Sequence, residues 1–234
     1  MINIMAKLRR ILPGELGELS VLAGISLVAG SLLGVMLLTD EVLEGETHAF
    51  DRAVLLALRE PDNVALPIGP DWLASVVRDL TSLGSTAVLS LIVAAAALYL
   101  LLDGKRLSAA LVLVSTLGGW AMGNGLKLLM GRERPDVVPH LMHEITLSYP
   151  SGHALMSAVI YLTLGALLAR AERRPAFKVY LFGVAVFVAF IVGLTRLYLG
   201  VHWPTDVLAG WGLGAAWAMG CLLVAGWLER RWRR

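Results

Sequence analysis

The chain holds 234 residues, 57% of them hydrophobic and 16% charged, with 20 basic and 18 acidic side chains for a formal net charge of +2. A mean hydropathy of +0.73 excludes an ordinary water-soluble domain, and no nucleic-acid partner is expected. The single cysteine, Cys221, excludes an intramolecular disulfide.

Uncharged stretches run Leu19–Leu38, Leu83–Leu102, Leu107–Leu126, Ala154–Ala169, Val179–Thr195 and Val207–Leu228. A helix needs roughly 20 apolar residues to cross the hydrocarbon core. Ala154–Ala169 and Val179–Thr195 are short, and both abut polar residues through which the helix is expected to continue. Lys7, Arg9 and Arg10 precede the first stretch, which is too long for a signal-peptide core and lacks a small-x-small site before Thr39. It is read as an uncleaved span. In the long connection Thr39–Ser82, apolar and charged residues interleave at helical spacing over Phe50–Leu58 and Trp72–Leu80, with Pro61, Pro67 and Pro70 between. Two short amphipathic helices in the membrane interface are expected there. The fold class predicted is all-α: one domain over residues 1–234, a six-transmembrane-helix bundle with short interfacial helices between the first two spans.

Alternate connections carry different charge. The N-terminal segment, Asp103–Arg106, Arg170–Lys178 and Glu229–Arg234 together hold 13 of the 20 basic residues, while 13 of the 18 acidic residues lie in the other set. Positive charge gathers on the cytoplasmic side, so both termini are expected there. The polar residues discussed next then share the opposite, periplasmic or extracellular face.

Ionisable groups at span ends are costly unless paired or wet, which makes them functional candidates. Lys127 and Arg134, seven residues apart, would share a helix face if the third span runs on to Pro135, and two such cations suit a phosphate. Arg132 between them is read as snorkelling to lipid headgroups. In Pro150-Ser151-Gly152-His153, Ser151 caps the fourth span. Gly152 lets an anion approach the free amides of the first turn, and His153 supplies a proton. Pro204 suits the first turn of the last span, with His202 just before it and Asp206 within it. Four residues apart, Asp206 can orient His202 so that the other ring nitrogen is a nucleophile. Arg196 offers a bidentate fork for phosphate oxygens. His140, His143 and Glu144 are taken as a solvated loop or the substrate mouth in preference to a metal site.

In order and spacing, Lys127-x6-Arg134-Pro135, Pro150-Ser151-Gly152-His153 and Arg196-x5-His202-x3-Asp206 resemble the three-part signature of the type 2 phosphatidic acid phosphatase (PAP2) superfamily, across a motif core of residues 127–206. Thr195 stands where that family usually has serine; a hydroxyl bond to phosphate is expected to survive. The resemblance implies a membrane lipid phosphatase of the bacterial envelope type, with no metal or other cofactor. His202 is the implied nucleophile, forming a phosphohistidine, Asp206 its orienter and His153 the acid. Lys127, Arg134, Ser151, Gly152 and Arg196 would bind phosphate. Undecaprenyl diphosphate, phosphatidylglycerol phosphate and phosphatidic acid are the implied lipid phosphates, drawn from the outer leaflet past Phe50–Leu58 and Trp72–Leu80. The same residues would serve a phosphotransferase passing phosphate to a second lipid. A non-catalytic anion transporter would not need the His202–Asp206 pair. No obligatory protein partner is evident.

Overall fold

The computed structural model describes the backbone of residues 4–144 and 146–232, and side chains at Leu19, 21–144 and 146–231. Lys7, Arg9, Arg10, Arg233 and Arg234, which enter the orientation argument, lie outside the described side chains. The elements are α1 (Ile4–Glu44), α2 (His48–Ala57), β1 (Arg59–Glu60), β2 (Asn63–Pro67), α3 (Asp71–Thr81), a 3₁₀ turn (Ser82–Gly84), α4 (Thr86–Leu102), α5 (Arg106–Met130), α6 (Gly152–Ala171), α7 (Pro175–Tyr198) and α8 (Pro204–Trp232). Five segments are long and apolar enough to cross a membrane: Val21–Glu44 of α1, then α5, α6, α7 and Pro204–Arg231 of α8. A sixth is the bent pair of α3 with its turn and α4, angled by 44°. Ser85 sets that bend by capping α4, its hydroxyl accepting from the Val88 amide at 3.3 Å.

The connection between the first two spans departs from expectation in two ways. Its prolines fall in and just after an antiparallel hairpin, Pro61 in the turn, Pro67 ending β2 and Pro70 beyond it. Arg59 stands opposite Pro67 and Glu60 opposite Asn63, so the all-α bundle carries one small two-stranded piece. Proline lacks the N–H a ladder needs, which suits it to such short edges. Moreover, α2 does not simply lie on lipid. Phe50 is exposed, but Leu55 is fully buried against Val138 and Trp203 at the end of the bundle.

The third span also ends early. Gly131 takes a left-handed conformation (φ 59°) and its amide caps the Lys127 carbonyl at 3.0 Å, closing α5 before Arg132. Lys127 and Arg134 therefore do not share a helix face. Arg134 reaches the site from the loop instead.

Helix α6 sits at the centre, packed on α5, α7 and α8, while α1 packs along α8. Leu155, Val159 and Ile160 of α6 form the core with Leu89, Val93, Val112 and Leu213. Leu22, Ile25, Val179 and Phe187 face outward, as they would toward acyl chains. The α6–α8 contact is backbone-close because Gly210 and Gly214, one turn apart, have no side chains. A Cβ at Gly214 would lie 2.6 Å from the Leu155 carbonyl oxygen, and one at Gly210 2.8 Å from that of Ser151. Gly214→Ala is therefore expected to destabilise the bundle by about 1–3 kcal/mol, seen as a lower Tm in detergent. Gly220→Ala, with nothing within 4 Å of the added carbon, should leave Tm unchanged.

Candidate active site

The C-terminal ends of α5 and α7 and the N-terminal ends of α6 and α8 meet at one end of the bundle. A hydrogen bond from the Ser151 amide to the Asp206 carbonyl (3.0 Å) joins the starts of α6 and α8. The loop after α5 closes over them, with Arg134 donating to the Val201 carbonyl at 2.6 Å. The three sequence blocks are thus brought together.

Trp203 precedes Pro204, the first residue of α8, and Asp206 accepts the Trp203 amide at 2.8 Å. That is one half of a capping box, the residue at the third helical position reaching back to the N-cap amide, and the helix dipole favours the carboxylate there. The same oxygen, Oδ2, lies 3.3 Å from Nδ1 of His202 and accepts the Ser148 hydroxyl. On the other side of the ring, Nε2 lies 3.3 Å from Nη1 of Arg134. A guanidinium can only donate, so Nε2 presents its lone pair and Nδ1 carries the proton toward Asp206. Burial first, then the Arg134, Arg196 and Lys127 charges, hold the His202 pKa well below its ordinary value. The ring is accordingly neutral and nucleophilic at neutral pH.

The cations are held by carbonyls and carboxylates. The Lys127 ammonium donates to the Leu147 carbonyl, beside Gly152, whose Cβ would lie 3.9 Å from Lys127 Cε. Arg134 also bonds the Thr146 carbonyl (2.7 Å) and hydroxyl (3.0 Å). Arg196 is fully buried, donating to Thr81 at 3.1 Å and to Glu144. Glu144 bridges two cations, its other oxygen 3.5 Å from Arg134. Burial opposes the charge on Glu144, but Arg196 and Arg134 outweigh it and hold the carboxyl below its ordinary range.

Three expectations need amendment. The Thr195 hydroxyl donates to the Val192 carbonyl at 2.6 Å, so its proton is not free for phosphate. The Ser151 amide is committed to Asp206, and its hydroxyl is buried without a hydrogen-bond partner among the described residues. Arg132 does not snorkel. Its Nη1 bonds Asp206 Oδ1 and the Thr205 hydroxyl, both at 2.7 Å, and its Nη2 bonds Asp51 Oδ2 at 2.7 Å.

Sequence reasoning missed Asp51, Arg132, Ser148 and the pairing role of Glu144. Asp51 had a readable signal: a carboxylate inside the apolar run Ala49–Leu58 needs a partner when that run packs. The partners of Ser148 and Glu144 depend on loop geometry that spacing does not encode. His140 bonds the Pro135 carbonyl at 2.6 Å, and no group of three or more metal-capable side chains occurs among the described residues.

His202, His153, Arg134, Lys127, Glu144 and Gly152 line the polar mouth of a cavity of about 510 Å³. Away from the mouth it is lined by Leu89 of α4, Leu117 and Trp120 of α5, and Leu155 and Ile160 of α6. From Lys127 to Thr116, both lining it, eleven residues of α5 span roughly 16 Å. The 3₁₀ turn borders the mouth at Gly84, where a Cβ would lie 3.1 Å from the His153 ring. No residue of Phe50–Leu58 or of Trp72–Leu80 lines the cavity, so the expectation that these two segments flank the entrance is not met.

The sequence profile of the PAP2 superfamily matches residues 106–230, more than half of the chain. Phosphatidylglycerophosphatase B of Bacillus subtilis (strain 168) is 32% identical over 151 residues, which cover 64% of this chain and 74% of that protein. Undecaprenyl-diphosphatase of Sulfolobus acidocaldarius is 33% identical over 124 residues, covering 51% and 56%. The crystal structure of the transmembrane PAP2 type phosphatidylglycerolphosphate phosphatase from Bacillus subtilis matches this fold with a TM-score of 0.75 and 27% identity, over 88% of this chain and 97% of that one. With its three blocks converging on one pocket and this similarity across the bundle, the chain belongs to the PAP2 superfamily.

Proposed function

We propose that the protein is a membrane lipid phosphatase that removes the terminal phosphate of a lipid phosphate or diphosphate. The observation that carries this reading is the cavity itself: an oriented histidine and two cations at one end, apolar helix surface at the other. A soluble phosphoester would need only the first half. The relatives direct the choice of substrate toward phosphatidylglycerol phosphate and undecaprenyl diphosphate.

In the proposed reaction Nε2 of His202 attacks phosphorus while the bond to the lipid oxygen breaks, and His153 gives that oxygen its proton. Asp206 stabilises the positive charge growing on the His202 ring. Water, relieved of a proton by His153, then cleaves the phosphohistidine and releases inorganic phosphate. Lys127, Arg134, Arg196 and the Gly152 amide oppose the negative charge of the pentavalent phosphorus. Ser151 serves by starting α6 and tying it to Asp206. The fixed cations take the part that a divalent ion plays elsewhere. His202→Ala should lower phosphate release from these lipids by about four orders of magnitude, with the wild-type rate unaffected by excess EDTA. Retention of the rate in the variant, or loss in EDTA reversed by one metal, would refute the mechanism; transfer of label to a second lipid would make the enzyme a phosphotransferase.

Glu144 occupies the place between Arg196 and Arg134 that a phosphate would need. Lys127, Arg132, Arg134 and Arg196 face Asp51, Glu144 and Asp206, a surplus of one positive charge. With Glu144 displaced the surplus becomes two, which suits a phosphate of about −1.5 to −2. In this reading substrate evicts Glu144 and releases Arg196 for the phosphate. Glu144→Gln should tighten inhibition by inorganic phosphate about tenfold, the factor that about 1.4 kcal/mol provides. Weaker or unchanged inhibition would mean that Glu144 only supports Arg196.

The charge pattern along the chain supports cytoplasmic termini and a site on the opposite face. Asp136 and Arg173 are exposed at connections on opposite sides. In a Cys221→Ser background, Asp136→Cys should react with a membrane-impermeant thiol reagent in intact cells, whereas Arg173→Cys should not. The reverse pattern would invert the orientation.

A further inference from the structure

Asp206 uses its two oxygens differently. Oδ2 faces His202, Ser148 and the Trp203 amide, whereas Oδ1 is held by Nη1 of Arg132 at 2.7 Å. Arg132 is itself fixed on three further sides. Its Nη2 bonds Asp51 at 2.7 Å, its guanidinium lies 5.5 Å from the centre of the Trp203 ring, and its carbonyl accepts the Ser148 amide at 2.9 Å. Asp51 in turn accepts the Thr205 amide at 3.0 Å and the Thr205 hydroxyl at 2.7 Å, in the first turn of α8. Arg132 does not line the cavity, and Asp51 is fully buried. Neither touches a substrate there.

We propose that Arg132 and Asp51 are positioning residues for the nucleophile, acting through Asp206. The inference rests on the reading that His202 attacks phosphorus. One loop then grips the catalytic pair at both ends: Arg134 stands beside His202 Nε2, and Arg132 holds the far oxygen of Asp206. Held this way, the carboxylate cannot rotate its Oδ2 away from Nδ1. Asp51 has a second duty. A lone guanidinium against Asp206 would draw charge from the carboxylate and weaken its hold on the imidazole proton. By sharing Arg132 between two carboxylates, Asp51 leaves Asp206 more of its negative charge for the developing imidazolium. A staple that merely docked α2 on α8 would not need to involve the oxygen partner of the nucleophile.

The test uses the full-length protein in liposomes with a lipid phosphate that the wild type hydrolyses. Arg132→Gln is expected to lower kcat about 100-fold through misplacement of the pair, with KM and inhibition by inorganic phosphate within about twofold of wild type, since the phosphate cations are untouched. Arg132→Lys, which keeps one charged contact, should recover part of kcat. Asp51→Asn, isosteric and milder for folding, should lower kcat in the same selective way. In an Asp206→Asn background, adding Arg132→Gln should cost nothing more, because its target is already disabled. Undiminished kcat in both Arg132→Gln and Asp51→Asn would overturn the proposal. So would parallel loss of phosphate binding, or a further multiplicative loss in the Asp206→Asn background. His202→Ala, measured alongside, separates the two readings: an active variant removes the nucleophile assignment, whereas an inactive one beside unimpaired Arg132→Gln and Asp51→Asn removes only the positioning pair.

Discussion

The ion pair between Arg132 and Asp206 is the contact around which the polar end of this bundle is organised. Asp206 is fully buried at the mouth of an apolar helix cluster, where an unpaired carboxylate would take up a proton or force its helix out. Removing one member of such a pair typically costs about 3–5 kcal/mol, because the other charge stays buried. With Arg132 on Oδ1, the carboxylate keeps Oδ2 for the imidazole, the Ser148 hydroxyl and the Trp203 amide. The His202 tautomer, the start of α8 and the docking of α2 through Asp51 all follow from that geometry.

Around this pair carboxylates and cations alternate, while Lys127 is held by the Leu147 carbonyl. Arg132 stands between Asp51 and Asp206, and Glu144 stands between Arg196 and Arg134. Oppositely charged neighbours in a weakly polar setting both stabilise the resting site and store field for a ligand. The cations lining the cavity, Lys127 and Arg134, are held in place by backbone carbonyls. Arg196 is different, its charge being covered by a single carboxylate, that of Glu144.

The scaffold matters because the candidate site is assembled from four helix ends and the loop after α5. A shift between α6 and α8 would move His153 relative to His202, and their spacing is held by backbone contact at Gly210 and Gly214. Close backbone approach gives a stiffer joint than interdigitated long side chains, which have rotamers to exchange. Helices α1 and α7 present broad apolar surfaces on their outward faces. Rigidity is thus concentrated beneath the site, and the cleft between α4 and α5 opens beside it.

Apolar run length by itself picked out the spanning stretches, because the membrane sets the helix length. Five of them lie on helices long enough to span, and the second, on α4, becomes long enough only together with the bent α3. Spacing determined the His202–Asp206 pair and its place at the start of α8, since a proline at the first turn and a carboxylate two residues on are local instructions. Where partners come from distant segments, local pattern carries no instruction. Arg132 and Arg134 are both arginines of one loop, yet Arg132 holds Asp206 and Asp51 while Arg134 lines the cavity. The left-handed turn at Gly131 separates them from α5, and a glycine at a span end permits that turn without requiring it. Glu144 read as part of a histidine-rich loop because its sequence neighbours are His140 and His143; in space its neighbours are Arg196 and Arg134. Thr195 kept the hydroxyl of the usual serine, but its helix backbone claimed the proton through the Val192 carbonyl. The candidate site residues were legible because most of them sit at or near helix ends with local signatures. The pairing of Arg132 with Asp51 and Asp206, and of Glu144 with Arg196, was decided by the tertiary structure, because a buried ion is costly without the opposite charge that the fold brings near.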